Sequence, residues 1–352
     1  MKIAIITPCI KCGGLGSATQ RLFTALRNEN YQVFLIDLSR KTVKVMYSYL
    51  NDLKYSIRVI NAVDTMIYLG SIPYLSHIFA KLSSKKVILF INGYIHYEQK
   101  EALKDALRFL DVRRSIVIAL NWMLFLLGSF LVDFFIFPCY GTRENSKANL
   151  KKSVVIPLWL TQDDLKVLET IRKNSNKPKD TVRIISYSSY VRSPKLLTTT
   201  DLLKLAQILR TRVNRKIEFI IIDPKAPFQR IGNIQIVKAL PKQEFLKLLA
   251  SSHLYIDTII DDELRYSTLE AMALGVPVAK LVHTKYWNKL DFKYELFTSS
   301  VKEFINVISN YVNNVEKLYP QYSDAVRHYV LNKRLWIHIK PLLLEVIEKA
   351  TK

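Results

Sequence analysis

Short apolar runs alternate with amphipathic segments through the first half of the chain. The runs are rich in residues that favour strands, and they lie at 2–7, 32–36, 66–69 and 87–91. A glycine-containing loop follows the first run, and apolar residues then recur at helical spacing behind Ser17-x-x-Gln20, which fits a helix capping box. Near-continuous apolar strands separated by helices predict a parallel sheet that is buried on both faces.

The alternation restarts beyond a polar, lysine-rich segment at 161–180, which we interpret as an interdomain linker. Further strands are predicted at 182–187, 218–222, 234–237, 254–259 and 276–282. Residues 324–352 form a helical tail that we expect to pack back toward the N-terminal domain. The pattern predicts an α/β fold of two Rossmann-like, doubly wound domains, 1–160 and 181–323, that face an interdomain cleft.

Residues 116–137 are almost entirely apolar and are long enough to raise the question of a membrane span. Asn121 and Asp133 interrupt the run, so we predict a helix in its first part and a buried strand at its end. Three arginines stand just before the run: Arg108, Arg113 and Arg114. Basic residues beside an apolar helix favour an interfacial anchor over 108–132 that dips into one leaflet of an anionic membrane, and a plain core helix is the alternative.

The charge balance is strongly basic, with 52 Lys and Arg against 30 Asp and Glu and a formal net charge of +22. Such a field favours polyanions, whether nucleic acid, anionic lipid headgroups or diphosphate substrates. Scattered lysines that only promote solubility are the alternative interpretation. Aromatic and basic residues are not interleaved along any predicted strand, which disfavours nucleic acid as the partner.

Three cysteines bear on the compartment and on metal binding: Cys9, Cys12 and Cys139. They do not make a disulfide framework, and Cys9-x-x-Cys12 lacks the second ligand pair that a zinc site requires. The opening apolar run ends at Pro8 and is too short for a signal peptide. We therefore expect a cytoplasmic protein, peripheral at the cytoplasmic face of a membrane.

The segment 261–278 carries the most specific pattern in the chain. Acidic residues follow a predicted strand, and a short helix then ends at Gly275. Ser267-x-x-Glu270 fits a capping box, which gives Glu270 a purely structural interpretation. In the functional interpretation Glu270 accepts hydrogen bonds from ribose hydroxyls, and the preceding residues direct backbone N–H groups and the helix dipole at a diphosphate. Those preceding residues are Tyr266, Ser267, Thr268 and Leu269.

Residues 269–278, Leu-Glu-Ala-Met-Ala-Leu-Gly-Val-Pro-Val, resemble the end of the E-x7-E region of glycosyltransferase family 4 and its GT-B relatives at every defined position. The resemblance implies transfer from a nucleotide-diphosphate sugar, with retention of anomeric configuration and without a metal. Glu270 falls on the second acid, which binds ribose in the family. Asp262 falls on the first acid, which holds sugar hydroxyls, and Glu263 takes that role if the loop is shifted by one. The family's Gly-Phe-Gly is replaced by Glu263, Leu264 and Arg265.

Other positions resemble the family less specifically. Gly13-Gly14 resembles its Gly-Gly loop, whose backbone lies beside the donor phosphates and the acceptor. Lys195 falls on a phosphate-binding lysine, with Arg192 as a substitute for the arginine that accompanies it. The family's His-Gly is Asn-Gly here, and His96 is the nearest histidine that could contact substrate. For Arg192, Lys195 and His96 the alternative is an exposed, solvated side chain.

The resemblance therefore implies a glycosyltransferase that uses a UDP- or GDP-sugar as co-substrate, with no metal and no other cofactor. Arg192, Lys195, Arg265 and the helix start at Ser267 would neutralise the departing nucleotide diphosphate. The acceptor would be a glycan or a lipid-linked hydroxyl, bound by the N-terminal domain. The competing functions are a GT-B-fold nucleotide-sugar epimerase and a degenerate, non-catalytic GT-B protein that binds a polyanion.

Overall fold

The computed structural model describes residues 1–7, 13–37, 60–70, 75–91, 100, 103–104, 106–108, 111–146, 150–188, 197–224 and 228–351. The chain forms two compact units. The N-terminal unit comprises Met1–Leu158 together with Ile339–Lys352, and the C-terminal unit comprises Trp159–His338.

A parallel sheet forms the centre of the N-terminal unit. Its described strands are β1 (Lys2–Thr7), β2 (Gln32–Asp37), β3 (Thr65–Leu69), β4 (Lys86–Phe90), β5 (Phe134–Phe137) and β6 (Ser153–Val155). Their order is β2-β1-β3-β4-β5-β6, and all neighbours are parallel. Described helices before residue 158 include α1 (Gly13–Asn28), α2 (Leu75–Leu82), α3 (Val112–Ser129) and α4 (Tyr140–Asn145), with a 3-10 turn at Leu150–Lys152.

The C-terminal unit is built on a second, mostly parallel sheet. Its strands are β7 (Val182–Tyr187), β8 (Ile217–Ile222), β9 (Gln229–Ile231), β10 (Ile234–Val237), β11 (Leu254–Asp257), β12 (Val278–Leu281) and β13 (Phe297–Thr298). They are ordered β13-β12-β11-β7-β8-β10-β9, and β9 alone among them pairs in the antiparallel sense. The helices are α5 (Gln162–Lys173), α6 (Thr199–Arg212), α7 (Lys242–Ala250), α8 (Tyr266–Ala273), α9 (Thr284–Trp287), α10 (Val301–Asn313), α11 (Val315–Lys333) and α12 (Trp336–Thr351), the last of which crosses into the N-terminal unit.

The predicted α/β class with two Rossmann-like sheets is confirmed. Central strands are buried along most of their length, and β3 and β11 are buried at every position. Helices of the C-terminal unit pack their apolar stripes on this sheet, as Leu202 and Leu209 of α6 and Ile308 of α10 do. Strands covered on both faces must be apolar throughout, which explains why simple runs of apolar residues located them.

The helix start predicted at Ser17 is wrong, because α1 begins at Gly13 and Ser17 lies inside the helix. The glycines that we predicted in a loop therefore belong to the first turns of α1. A capping pattern is a local preference of modest free energy, whereas burial of Ala18 and Leu22 against the sheet stabilises the whole helix.

The segment 161–180, which we interpreted as a linker, contains helix α5. Thr161 and Asp164 form a capping box at its start. Glu169 of α5 forms an ion pair with Arg327 of α11 at 2.8 Å. Beyond the helix, the ammonium of Lys177 donates to the carbonyls of Ala250 and Ser252, at 2.7 Å each. The segment is thus folded onto the C-terminal unit.

The apolar segment 116–137 divides as predicted into a helix, α3, and a buried strand, β5. In the part of the chain that is described, no helix is both long and apolar enough to cross a membrane. The last helix, α12, reaches the N-terminal unit, where Lys340 forms an ion pair at 2.6 Å with Glu29, the residue after α1.

Candidate functional site

The strand order of the C-terminal sheet identifies the place where this type of fold binds ligands. The order reverses between β7 and β11, and open α/β sheets bind ligands outside the carboxyl ends of the strands at such a point. The two strands end side by side, and the Thr258 hydroxyl donates to the carbonyl of Tyr187 at 3.1 Å. The segment predicted to bind nucleotide begins directly after β11.

The described residues on either side of the segment 189–196, which contains Arg192 and Lys195, lie at this same edge. At one end, the backbone N–H of Ser188 donates to the carbonyl of Ile222 at 2.8 Å. At the other end, the backbone N–H of Leu197 donates to the carbonyl of Thr258 at 2.8 Å. Arg192 and Lys195 themselves lie outside the described residues, as does His96.

Helix α8 begins at the switch point without a side-chain cap. Its N-cap residue is Arg265, which has an extended backbone and whose side chain makes no capping hydrogen bond. The predicted capping box between Ser267 and Glu270 is therefore wrong: Ser267 is already helical, and its hydroxyl accepts a hydrogen bond from Tyr255 at 3.0 Å. Burial, together with Asp257, raises the pKa of Tyr255, so its hydroxyl keeps the proton that it donates. A helix start of this kind suits an anion.

Glu270 is buried and ion-paired. Its side chain is 1% exposed, and its carboxylate accepts a hydrogen bond from the ammonium of Lys242, at the start of α7. Lys242 is half-exposed and also lies over the ring of Phe245 at 5.7 Å. A buried carboxylate requires a partner of opposite charge, and Lys242 provides it from a different helix. Glu270 therefore has a partner of opposite charge outside its own helix.

The acidic loop before α8 is also buried. Asp261, Asp262 and Glu263 are all less than 9% exposed. The Asp261 carboxylate accepts a hydrogen bond from the backbone N–H of Glu263 at 2.9 Å, which tightens the loop. Three acids within one buried loop concentrate hydrogen-bond acceptors beside the start of α8.

A buried ionic network supports this loop and the helix start. Lys280 of β12 is fully buried and lies 3.2 Å from the Asp257 carboxylate, while it also donates to the carbonyl of Ile259 at 2.6 Å. Asp257 further accepts from the Thr268 hydroxyl at 2.9 Å and from the backbone N–H of Ile259 at 3.0 Å. The network therefore joins β11, β12, the loop and the first turn of α8.

The structure places the predicted residues in different ways. Asp262, Glu263 and the residues 265–270 all lie along one continuous segment at the carboxyl edge of the C-terminal sheet. Gly13 and Gly14 form the start of α1, whose first residue comes six positions after the end of β1. Their predicted role in phosphate contact stays a prediction.

Sequence reasoning missed Lys242, Asp257 and Lys280. A charged residue inside the apolar run 276–282 was a signal for Lys280, because a buried strand accepts a lysine only when it has a partner. Lys242 gave no comparable signal, since a lysine after Pro241 is typical of an exposed helix start.

No protein-family model matches the sequence, and no curated protein matches it at the sequence level. Solved structures do match the fold over nearly the whole chain. Sucrose-phosphate synthase from Thermosynechococcus elongatus matches with a TM-score of 0.68 and 14% identity, over 99% of this chain and 98% of that one. WaaG, a glycosyltransferase involved in lipopolysaccharide biosynthesis, matches with a TM-score of 0.63 and 11% identity, over 98% and 99%.

The same architecture also occurs in an isomerase. UDP-GlcNAc 2-epimerase from Neisseria meningitidis, bound to UDP-GlcNAc, matches with a TM-score of 0.56 and 14% identity, over 99% of this chain and 100% of that one. These likenesses define the fold as GT-B, the two-Rossmann-domain architecture that these proteins have in common. At such low identity they establish the fold and leave the activity to be argued from the site.

Proposed function

We propose that the chain is a glycosyltransferase that transfers a sugar from a nucleotide-diphosphate sugar to an acceptor hydroxyl. One observation carries the proposal: Glu270 is buried, is held by Lys242 and follows a helix start without a side-chain cap at the switch point of the C-terminal sheet. A carboxylate beside an anion-binding helix start can hold ribose hydroxyls while the helix binds the diphosphate.

The donor would lie along the start of α8. Backbone N–H groups of residues 266–269 would face the diphosphate, and Glu270 would accept hydrogen bonds from the ribose. Asp262 would hold hydroxyls of the transferred sugar, with Glu263 next to it. The buried loop supports these assignments because its carboxylates are fixed at the carboxyl edge rather than dispersed in solvent.

Transfer would proceed with retention and without a metal. The bond between the anomeric carbon and the diphosphate oxygen breaks, the acceptor oxygen bonds to that carbon from the same face, and the acceptor proton passes to the leaving diphosphate. Arg192, Lys195 and the start of α8 would stabilise the negative charge that builds on the leaving oxygen, each by roughly a few kcal/mol. No side chain need act as a covalent nucleophile.

The acceptor would be bound by the N-terminal domain, and we propose a glycan or lipid-linked hydroxyl at the cytoplasmic face of a membrane. The apolar helix α3 and the arginines at its N-terminal end support this assignment. WaaG, which has the same fold, is a glycosyltransferase involved in lipopolysaccharide biosynthesis.

Two substitutions test the site. Glu270→Ala and Lys195→Ala are each expected to reduce transfer or donor hydrolysis about tenfold or more, since each removes a group that contacts the donor. Thermal-shift screening of UDP- and GDP-sugars first identifies the donor, because a bound donor raises the melting temperature by mass action. Glu244→Ala and Lys204→Ala, at exposed positions on α7 and α6, are the matched controls. Near-normal turnover in both site variants would contradict the proposal.

The likeness to the epimerase makes isomerisation the second candidate. The two functions differ in product: epimerisation inverts one sugar carbon and yields another nucleotide sugar, whereas transfer yields a free nucleotide and a glycosylated acceptor. Incubation of the protein with UDP-GlcNAc, followed by proton NMR of the sugar, distinguishes them. An epimerised UDP-sugar without release of UDP would replace transfer with isomerisation as the function.

A further inference from the structure

Helix α3 has two apolar faces, and among its described side chains those on one face are buried and those on the other are exposed. On the inner face Ser115, Ile118 and Phe125 are buried, and Phe125 belongs to the core of the N-terminal unit. The outer face and the residue after the helix expose a stripe of large apolar side chains: Val112, Ile116, Leu120, Met123, Leu127 and Phe130. We call these six residues the outer stripe.

The outer stripe is unlike the solvent-facing side of an ordinary surface helix. Its members recur every three or four residues and are between 48% and 75% exposed. A helix on the surface of a globular domain normally turns polar residues to water. Leu107, before the helix, and Phe79 and Leu82 of α2, which packs against α3, are exposed as well. A surface of this size is typical of an interaction site.

Basic residues outnumber acidic ones at the N-terminal end of the outer stripe. Arg108 and Arg113 are exposed at the N-terminal end of α3. The sole acid between residues 112 and 133 is Asp133, and its carboxylate is taken by Lys81 at 2.5 Å and by the backbone N–H of Val87 at 2.8 Å. Among the described residues at this end, the exposed acid Asp111 stands against the exposed Arg108 and Arg113, so an anionic partner would meet a net positive charge beside the stripe.

We propose that the outer stripe of α3 docks the protein on an anionic bilayer, with the helix lying in the interface of one leaflet. A second copy of the chain is the less suitable occupant, because docking two such faces would bring together arginines on molecules of net charge +22. The helix would lie in the membrane surface rather than cross the bilayer, since its inner face is fixed to the core. Membrane docking would bring the protein to a lipid-linked acceptor, and this part of the inference rests on the proposed function.

The test is flotation of the full chain with vesicles of phosphatidylcholine, alone or mixed with phosphatidylserine. Wild type is expected to float with the mixed vesicles. Leu120→Glu/Leu127→Glu is expected to lower the partition coefficient roughly tenfold or more, because charged side chains cannot enter the apolar layer. The matched control, Val167→Glu/Val301→Glu, adds the same charge at exposed apolar positions of the C-terminal unit and should float like wild type.

Three outcomes would overturn the proposal: no flotation of wild type, flotation of the stripe variant equal to wild type, or an equal loss in the control. If wild type forms dimers and does not bind vesicles, and the stripe variant is a monomer, the outer stripe would instead bind a second copy of the chain. The melting temperature of the stripe variant verifies its folding. The shifts that UDP and GDP produce test the donor site separately, so vesicle binding without a shift from either nucleotide contradicts only the proposed transferase function.

Discussion

At the scale of single residues, the pair Glu270–Lys242 decides between two interpretations of one motif. A glutamate that only caps its helix would contact the backbone of that helix and would have no role in ligand binding. Here the carboxylate is almost fully buried and bonded to an ammonium from another helix. Lys242 thus acts as a positioning residue, because it fixes the orientation of a carboxylate whose proposed role is to hold ribose.

Lys242→Ala is expected to weaken UDP binding about tenfold, since a hydrogen bond to a charged group contributes roughly 1.5–3 kcal/mol and tenfold corresponds to about 1.4. Isothermal titration with UDP measures the effect. Lys247→Ala, an equal change of charge at an exposed position on the same helix, is the control. Lys242→Arg should restore part of the affinity. Equal dissociation constants for the Lys242→Ala and Lys247→Ala variants would show that the pair does not position the site.

At the scale of elements, the site depends on how β11, β12 and α8 are joined. Asp257 ends β11, Lys280 lies within β12, and Thr268 belongs to the first turn of α8. Since all three side chains are buried, their mutual bonds replace contacts with water. The network therefore holds the acidic loop and the helix start in a fixed arrangement, which a binding site for a flexible sugar nucleotide requires.

Lys280→Met should destabilise the protein by about 3 kcal/mol, because it leaves the buried Asp257 carboxylate without its cation. Asp257→Asn/Lys280→Met should recover part of that loss, since the remaining amide is neutral. Scanning calorimetry of the full chain measures both. Lys302→Met, at an exposed position on α10, should leave the melting temperature nearly unchanged. If Lys280→Met is as stable as Lys302→Met, Lys280 does not stabilise the buried Asp257 carboxylate.

At the scale of the whole molecule, the segment 174–181 joins α5 to the base of the C-terminal sheet. Lys177 donates to two carbonyls that follow α7, and burial, with the charge of Arg183, lowers its pKa to about 8. The neighbouring His253 accepts the backbone N–H of Arg183 at 3.0 Å. Burial, with the charges of Lys177 and Arg183, lowers the pKa of His253 to about 4. A segment that looks like a linker in sequence is thus fixed by buried polar contacts.

Stability should fall as the pH falls from about 6.5 through about 4, the unfolded and folded pKa values of His253. In that window the unfolded chain binds a proton at His253 that the folded chain excludes, so acid favours unfolding. The loss is roughly 1–2 kcal/mol after allowance for solvent screening of a half-buried ring. Melting temperatures across this range, compared between wild type and His253→Asn, isolate the contribution. If the melting temperatures of the two proteins change equally with pH, His253 does not contribute to the acid sensitivity.

Most strands were predicted to within a few residues because apolar runs are a local property of the chain. β7 and β10 have the predicted bounds, and β11 ends two residues earlier than predicted. Helix starts were less predictable. Ser17 and Ser267 both fit capping boxes in sequence, yet both lie inside helices that begin earlier. A capping preference of about 1 kcal/mol is outweighed when packing of the helix on the sheet is more favourable elsewhere.

The sequence by itself determined the α/β class, the two sheets and the segment at 261–278 that follows a strand at its carboxyl end. These depend on apolar periodicity and on the order of elements, which are written along the chain. Only the tertiary structure decided that Glu270 pairs with Lys242, that Lys280 is buried against Asp257 and that one face of α3 is left exposed. Burial and charge pairing arise between segments distant in sequence, so no local pattern contains them.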